Sequence, residues 1–298
     1  MRWPSLLLCG LVLVGAACGN HDSRTSPTPT SGPVASQTLV GAGDIAGYPG
    51  SGKLSDTEAT AKLLGGIPGI VFTAGDNINS IEPGVTYQTA YAATWGRFLD
   101  RTFPSPGNHD YDVRSGASYF TYFGSQAGPS GLGYYSYPAG VWHVISLNSE
   151  VEAGAGSAQY RWLVDDLETN RAPCTAAYWH TPAFTSGPSP PTQSALDLWK
   201  VMASYGVEIV VNGHNHQYER FAPMGANGIR DNAAGVREFV VGTGGAVQYP
   251  FGAVMPNSEV RGNGFGVLKL TLSQGSYTWE FVPTPGSSLR DSGSGVCH

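Results

Sequence analysis

Short apolar runs of strand length recur along the chain, and each leads into a glycine or a polar residue. The run Val207–Val211, for example, leads into Asn212-Gly213, which is a turn signal. Five such runs are predicted to be strands, at 38–42, 69–74, 101–105, 175–179 and 207–211. We therefore expect each strand to present polar side chains at its carboxyl end.

Between these runs, apolar residues recur with the period of a helix. This spacing predicts helices over 55–65, 85–99, 157–168 and 192–204. Ser55 and Glu58 have the spacing of a capping box, so the first of these helices is predicted to begin there.

From residue 119 onwards, short aromatic runs are separated by Gly and Pro. Runs 119–123, 134–138 and 141–148 are predicted to be strands of a second sheet, and later strands are predicted at 218–222, 237–241, 266–272 and 277–282. Strand–helix alternation followed by mostly strands predicts an α/β fold, with two packed mixed β-sheets flanked by helices.

Composition narrows the range of partners. The 298 residues are 41% hydrophobic, which is enough for one large domain with a sizeable core. The formal net charge of −6 argues against a basic nucleic-acid-binding surface, so we expect no nucleic-acid partner.

The amino terminus has the pattern of a secretory signal. Met1-Arg2 precedes the apolar run Leu6–Val14, which is too short to span a bilayer, and small residues then lead to Cys18. We predict a signal peptide over 1–18, a Ser/Thr/Pro-rich tether over 19–36 and a catalytic domain over 37–298. The Ala-Ala-Cys ending resembles a bacterial lipoprotein cleavage site, which implies a lipid on Cys18 and a periplasmic or cell-surface location; a secreted form without lipid is the alternative.

Cysteine usage agrees with export. If Cys9 leaves with the signal and Cys18 carries lipid, Cys174 and Cys297 remain in an oxidising compartment. An even remainder favours a disulfide between them, and two unpaired thiols are the alternative.

The chemistry lies at the strand ends, because ligands of open α/β sheets bind outside the carboxyl ends of the strands. These ends carry Asp44, Asp76, Asn108, His180 and the pair His214 and His216. One carboxylate shared by two metal ions, with a further carboxylate and imidazoles around them, fits these residue types. Two such ions lower the pKa of a bound water to about 7 and hold the phosphoryl oxygens, which is the chemistry of phosphoester hydrolysis.

The same residues carry a family resemblance. The motifs are GDIAG at 43–47, GDNIN at 75–79, GNHD at 107–110, YWHTP at 178–182 and GHNH at 213–216. In order and spacing they resemble the calcineurin-like metallophosphoesterase superfamily, whose fold is a four-layer sandwich. The purple-acid-phosphatase branch is nearer, because Ala46 stands where the other branch has a metal-binding His and because Tyr218-Glu219-Arg220 follows the last motif.

The resemblance implies a ligand set for each of two metals. Asp76 would bridge the metals, and Asp44 with His216 would complete the first site, which commonly holds iron. Asn108, His180 and His214 would form the second site, which commonly holds zinc, manganese or iron.

It also implies roles beyond metal binding. His109 would lie over the phosphate and stabilise the transition state or protonate the leaving oxygen, and Asp110 would orient His109 or Asn108. Asn79 stands where the branch has a metal-bound tyrosinate, so the oxygen of Asn79 or a water would complete the first site. Without the phenolate we expect a colourless protein.

The sequence therefore predicts an exported dinuclear-metal enzyme that hydrolyses phosphomonoesters by attack of a metal-bound hydroxide on a small phosphorylated substrate. A phosphodiesterase or nucleotidase of the same fold is the nearest alternative. A metal-binding surface lipoprotein without catalytic activity is the alternative from another class.

Overall fold

The computed structural model describes residues 35–47, 53–79, 84–111 and 115–298. The predicted signal peptide, 1–18, and most of the predicted tether, 19–36, lie outside the described residues, so both stay predictions. Val34–His298 forms one compact unit. Within the described residues, no helix combines the length and the apolar character needed to cross a bilayer.

The described strands form a six-stranded and a seven-stranded sheet. In chain order they are β1 (Gln37–Ala42), β2 (Ile70–Ala74), β3 (Thr102–Ser105), β4 (Tyr135–Ala139), β5 (Trp142–Ser146), β6 (Cys174–Tyr178), β7 (Ile209–Asn212), β8 (Tyr218–Phe221), β9 (Arg237–Val241), β10 (Ser258–Gly262), β11 (Gly266–Ser273), β12 (Ser276–Pro283) and β13 (Ser292–Val296).

Both sheets are mixed, as predicted. The first has the order β13-β12-β11-β1-β2-β3, with β1, β2 and β3 parallel and the other pairs antiparallel. The second has the order β10-β8-β9-β7-β6-β5-β4, with β5, β6, β7 and β9 parallel and antiparallel pairs at both edges. Parallel strands that are covered on both faces have sequences that are nearly continuous apolar runs. In agreement with this, every residue of β5 and β7 is buried.

The helices complete four layers. They are α1 (Leu54–Gly66), α2 (Asn108–Tyr111), α3 (Ala117–Phe123), α4 (Ala158–Thr169) and α5 (Gln193–Ser204). The larger buried cluster joins the two sheets, where the Phe72 and Tyr178 rings lie 5.5 Å apart, and it includes Leu64 of α1. A second buried cluster packs α4 and α5, through Leu163 and Trp199, on the outer face of the second sheet. The predicted sandwich of two sheets between helices is therefore confirmed.

Three of the predicted helices are confirmed, and two begin at capping residues. The Ser157 hydroxyl accepts a hydrogen bond from the backbone N–H of Tyr160 at 3.1 Å, and that of Thr192 accepts one from Ala195 at 3.2 Å. The predicted capping box at Ser55 is wrong, because α1 begins one residue earlier, after Lys53, without a side-chain cap.

The predicted helix 85–99 is wrong as a continuous element. The chain forms a π-helical turn at Tyr87–Tyr91 and a 3-10 helix at Trp95–Arg101, with Thr94 between them at φ −116° and ψ −101°. This break allows the indole N–H of buried Trp95 to donate to the Thr60 hydroxyl of α1 at 3.0 Å. Tertiary contact has overridden the helical period here.

The first aromatic run, 119–123, is helix α3 and not the predicted strand. Tyr119 and Phe123 are both buried on one face of α3, and their i, i+4 spacing suits a helix as well as the aromatic composition suits a strand. The other two aromatic runs form β4 and β5. Strands β10 and β13 were not predicted, because these edge strands carry few apolar residues.

The predicted disulfide is present. Cys174 begins β6 in the second sheet, and Cys297 follows β13 at the edge of the first, with their Cα atoms 5.7 Å apart. The bond closes a separation of 123 residues, and links of this length stabilise a fold by up to about 5 kcal/mol through the unfolded chain.

Candidate metal centre

The structure brings all six predicted metal-ligand side chains to one place, at the carboxyl ends of β1, β2, β3, β6 and β7. The loops that carry them are joined by backbone hydrogen bonds. Gly213 N–H donates to His180 O at 2.9 Å, and Asp44 N–H donates to Gly75 O at 3.1 Å. The side chains then meet in two clusters.

Three of these residues turn through the left-handed region. Asp44 has φ 56°, Asp76 has φ 48° and His214 has φ 67°, and each directly follows a glycine at a strand end. Such a conformation costs a residue with a side chain on the order of 1–3 kcal/mol and is found where function holds it in place. The tight turns direct the three side chains across the carboxyl ends of the neighbouring strands.

The first group, which we call the His180 cluster, consists of Asn108, His180 and His214. Asn108 Oδ1 lies 3.0 Å from His180 Nε2 and 3.0 Å from His214 Nδ1, and the two imidazole nitrogens are 3.2 Å apart. Ligands around one zinc-sized ion, each at about 2.0–2.2 Å, are separated by roughly 3.4 Å. The three donor atoms therefore have the spacing of ligands to one ion.

The second group, the His216 cluster, consists of Asp44, Asn79 and His216. His216 Nε2 lies 3.2 Å from Asp44 Oδ1, and the Asn79 amide nitrogen lies 3.3 Å from His216 Nε2 and 3.4 Å from Asp44 Oδ1. Nitrogen and oxygen of an amide are assigned from such contacts, so rotating the amide by half a turn would present its oxygen instead.

Asp76 lies between the two clusters. Its Oδ2 is 3.4 Å from His180 Nε2 on one side and 3.1 Å from the Asn79 amide nitrogen on the other. Its Oδ1 accepts a hydrogen bond from the backbone N–H of His109 at 2.9 Å, which fixes the rotation of the carboxylate. Asp76 thus occupies the position of a ligand shared by two ions.

Backbone carbonyls set the tautomers of two histidines. His180 Nδ1 lies 2.9 Å from Ala74 O, and His216 Nδ1 lies 2.6 Å from Val247 O. A carbonyl oxygen can only accept, so in each ring Nδ1 carries a hydrogen and Nε2 is the nitrogen that faces its cluster. Both rings are therefore oriented for metal binding.

The buried carboxylates of Asp44 and Asp76 favour the binding of a cation. Asp44, Asp76 and His180 are each at most 1% exposed, and their ligand atoms lie within 4.8 Å of one another. Burial alone would lower the pKa of His180, but the negative charges of Asp76 and Asp44 and a hydrogen bond with Asp76 raise it to about 10. Burial, the positive charge of His180 and that of His216 lower the pKa of His214 to about 4, in opposition to Asp44 and Asp76. Nitrogen and oxygen donors of this kind suit iron, zinc or manganese, so the residues fit the two predicted ions.

His109 lies beside the bridging carboxylate and faces outward. Its Nε2 is 3.8 Å from Asp76 Oδ2, and 30% of its side chain is exposed, against at most 3% for the side chains of His180 and His216. It is therefore placed to meet a substrate that approaches from solvent.

Asp110 is buried behind the metal-ligand candidates, where it joins the loop after β2 to the loop after β3. Its Oδ2 accepts hydrogen bonds from the backbone N–H of Gly107 at 2.9 Å and from the Asn77 amide at 3.0 Å, and its Oδ1 accepts one from the Tyr87 hydroxyl at 2.5 Å. Burial and the nearby Asp76 raise the pKa of Asp110 to about 6, although these hydrogen bonds oppose the shift. Asp110 thus positions Asn108 and His109 through the loop backbone.

Two further contacts border the site. The ring of Tyr249 stacks on His216, with centroids 3.9 Å apart and an interplanar angle of 13°. The glycine-rich turn after β9 also approaches the site, since Ala246 N–H donates to Asp44 O at 2.9 Å. The stacking of Tyr249 joins residues 33 positions apart and follows no period or motif.

Comparisons with known proteins agree with this geometry. The calcineurin-like phosphoesterase family model matches residues 37–218. Purple acid phosphatase 15 of Arabidopsis thaliana is 30% identical over 154 residues, which cover 45% of this chain and 29% of that protein. Probable inactive purple acid phosphatase 24 of the same plant is 26% identical over 288 residues, which cover 81% of this chain and 45% of that protein.

A solved purple acid phosphatase from yellow lupin (Lupinus luteus) seeds superposes with a TM-score of 0.72 at 22% identity, covering 87% of this chain and 53% of that one. The chain spans less than half the length of the plant relatives named above. Because the family model covers more than half of its residues, the chain belongs to the calcineurin-like phosphoesterase family, in which its relatives are purple acid phosphatases.

Proposed function

We propose that the protein is a metal-dependent phosphomonoesterase that acts on small phosphorylated substrates. The observation that carries the proposal is the position of Asp76 Oδ2 between the two clusters, 3.4 Å from His180 Nε2 and 3.1 Å from the Asn79 amide. Two donor clusters that share one carboxylate are the arrangement that a pair of ions requires.

The His180 cluster would hold one ion and the His216 cluster the other, with Asp76 common to both. When bound, the ions would supply a nucleophile near neutral pH and positive charge beside the phosphoryl oxygens. The two backbone carbonyls behind His180 and His216 hold these rings in place, so little reorganisation is needed to bind metal.

His109 is the residue proposed to act on the leaving group. Its ring borders solvent on one side and Asp76 on the other, and the hydrogen bond from its backbone N–H to Asp76 Oδ1 fixes its distance from the bridging carboxylate. A protonated Nε2 in this position would donate its proton to the leaving oxygen as the ester bond breaks. General acid catalysis of this kind contributes roughly 10²–10⁴-fold to a rate.

Metal content and activity together test the proposal. We expect close to two metal ions per chain and hydrolysis of phenyl phosphate that a chelator abolishes. His214→Ala should lose both metal and activity, whereas His109→Asn should keep the metal and lose about 10²-fold or more in kcat.

Diphenyl phosphate separates the alternatives. A higher kcat/KM for this diester than for phenyl phosphate would favour the phosphodiesterase. A metal-loaded protein inactive on both esters would favour a binding protein without catalysis, an alternative kept open by Asn79 and by the similarity to a probable inactive purple acid phosphatase.

We further propose that the chain is exported and lipid-anchored through Cys18, on the basis of its amino-terminal sequence. Mass spectrometry of the mature protein tests this, since a lipid-modified Cys18 is the expected new amino terminus. An intact Met1 would overturn the export proposal.

A further inference from the structure

A groove leads away from His109 along the side of the proposed active site. Its inner end is a cavity of about 130 Å³, lined in part by Ile78, Val85 and His109. A wider cavity of about 610 Å³ follows, lined in part by Leu99 and Tyr122. Both cavities are lined by Thr86, Tyr87 and Ser118, so the two adjoin, and we call them together the groove.

The wall of this groove is aromatic and held in place. The rings of Tyr87 and Tyr122 stack with centroids 4.7 Å apart and an interplanar angle of 21°. The Tyr87 hydroxyl donates to Asp110 Oδ1 at 2.5 Å, so the ring is fixed by the same carboxylate that positions the loop of His109. Tyr87 is 5% exposed and Tyr122 is half-buried, so a substrate in the groove would meet a preformed aromatic wall made by the uncovered parts of these two rings.

The charges of the groove favour a neutral occupant. Among the described residues that line it there is no Lys or Arg, and the one carboxylate, Asp110, is 4% exposed and engaged by hydrogen-bond donors. Apart from His109, which faces the leaving oxygen, these residues would give no ion pair to a second phosphate or a carboxylate on the substrate. An apolar cavity of about 150 Å³ accommodates a benzene ring, so the inner cavity has roughly the size of one aromatic ring.

We infer that this groove receives the alcohol portion of the substrate, and that the preferred substrates are phosphomonoesters of uncharged aryl alcohols. The inference rests on the proposed phosphomonoesterase function, because it places the leaving oxygen beside His109 and the aryl ring against Tyr87. The specificity-determining residues would be Val85, Tyr87 and Ser118.

Filling the groove tests this inference. Ser118 is exposed near the start of α3, so Ser118→Trp should fill the groove without disturbing the core. We expect the ratio of kcat/KM for 2-naphthyl phosphate to kcat/KM for ethyl phosphate to fall at least tenfold. Ser204→Trp, at an exposed serine that ends α5, is the matched control and should change neither value.

A second variant tests the charge argument. Ser118→Arg should raise kcat/KM for 4-carboxyphenyl phosphate at least fivefold relative to phenyl phosphate, because it adds a cation to the groove. An unchanged ratio in this variant, together with equal losses on both esters in Ser118→Trp, would overturn the inference.

Binding separates this inference from the proposed function. Calorimetry on the metal-loaded protein should give at least tenfold tighter binding of benzylphosphonate than of methylphosphonate, and Ser118→Trp should remove that difference. This result supports the groove even if neither ester is hydrolysed, in which case only the catalytic proposal fails. Equal affinity for the two phosphonates would overturn the inference while leaving hydrolysis of ethyl phosphate as evidence for the function.

Discussion

Asp110 accepts two hydrogen bonds from Asn77 through one oxygen. Its Oδ2 lies 3.2 Å from the backbone nitrogen of Asn77 and 3.0 Å from the amide nitrogen. Asn77 directly follows Asp76, the proposed bridging ligand, and Asp110 lies two residues after Asn108. This contact therefore fixes the shared ligand relative to the His180 cluster.

Removing the Asp110 carboxylate should destabilise the fold around the site. Asp110→Ala leaves the buried N–H groups of Gly107 and Asn77 without a partner, each at a cost of about 1–3 kcal/mol, so we expect the free energy of unfolding to fall by roughly 3 kcal/mol. Asp110→Asn keeps one acceptor oxygen and should lose only about 1 kcal/mol. Urea denaturation measures both, and an alanine variant as stable as the asparagine variant would contradict the role of Asp110.

Gly107 should tolerate no side chain. A Cβ at Gly107 would overlap the backbone nitrogen and Oδ1 of Asp76, and neither atom can move without displacing the bridging ligand. Overpacking of this kind costs typically about 1–3 kcal/mol, and here it also shifts a metal ligand. We expect Gly107→Ala to reduce metal content well below two ions per chain, as measured by elemental analysis.

Gly66→Ala is the matched control for that change. Gly66 ends α1, and a Cβ there would meet nothing within 4 Å. The control should keep full metal content and leave the free energy of unfolding unchanged or raised by up to about 1 kcal/mol. Equal loss of metal in both variants would show that the effect is not specific to the contact with Asp76.

The positions of the metal-ligand candidates could be predicted because the signal is local. A strand that ends in Gly-Asp or Gly-His fixes where its side chain emerges, and parallel strands place their carboxyl ends together. Asp44, Asp76 and His214 follow this rule, and a glycine precedes each of them because a Cβ there would collide with Ala74 O or with His180.

The parts that were not predicted depend on contacts distant in sequence. Tyr87 meets Asp110 across 23 positions, and the break at Thr94 follows from the contact of Trp95 with α1. Neither contact leaves a period or a motif in the sequence. The aromatic run in α3 had two equally good interpretations, and only packing against the π-helical turn decides between them.

Asn79→Asp should have opposite effects with and without metal. Without metal, a third carboxylate beside Asp44 and Asp76 adds like-charge repulsion, so the melting temperature should fall. With metal, an anionic ligand replaces a neutral one, so the melting temperature should rise. Thermal unfolding with metal and with chelator measures both, and a shift of about 2–4 °C corresponds to roughly 1 kcal/mol in a domain of this size.

Asn170→Asp is the control for that pair of measurements. Asn170 is exposed at the end of α4, and its side-chain oxygen accepts a hydrogen bond from Ala172 N–H at 2.8 Å, which an aspartate can also accept. It should leave the difference between the two melting temperatures unchanged. A fall of both melting temperatures in Asn79→Asp would exclude Asn79 from the metal site.

The iron-loaded protein should be colourless. The amide of Asn79 cannot give the phenolate-to-iron charge-transfer band that a metal-bound tyrosinate would give. Visible absorption spectra of the protein loaded with ferric iron check this. If a strong band appears, Tyr249 is the phenol to test, because its ring stacks on His216, and Tyr249→Phe would then abolish the band.

Stability should fall as pH rises from about 4.5 to about 8, because buried Glu238 keeps its proton in the folded chain over this range. Its Oε1 accepts hydrogen bonds from the backbone N–H groups of Ala183 at 2.9 Å and Phe184 at 3.3 Å, while its Oε2 has no hydrogen-bond partner among the described residues. Burial raises the pKa of Glu238 to about 8, a shift that these two N–H groups oppose and Glu219 reinforces.

The direction of the effect follows from proton binding. Between pH 4.5, the ordinary pKa, and about 8, the folded chain binds a proton at Glu238 that the unfolded chain has released. The free energy of unfolding should therefore decrease with pH by about 1 kcal/mol per unit across this window. Glu238→Gln keeps the acceptor oxygen and does not titrate, so it should remove this part of the slope.

Urea denaturation at pH 5, 6, 7 and 8, with wild type and variant under identical metal conditions, measures the difference between the two slopes. Contributions from metal binding and from other titrating groups cancel in that difference, provided the substitution does not change them. Glu280→Gln, an exposed position on β12, should give a slope equal to that of the wild type. Parallel slopes for wild type and Glu238→Gln would mean that Glu238 is already ionised in the folded chain across this range.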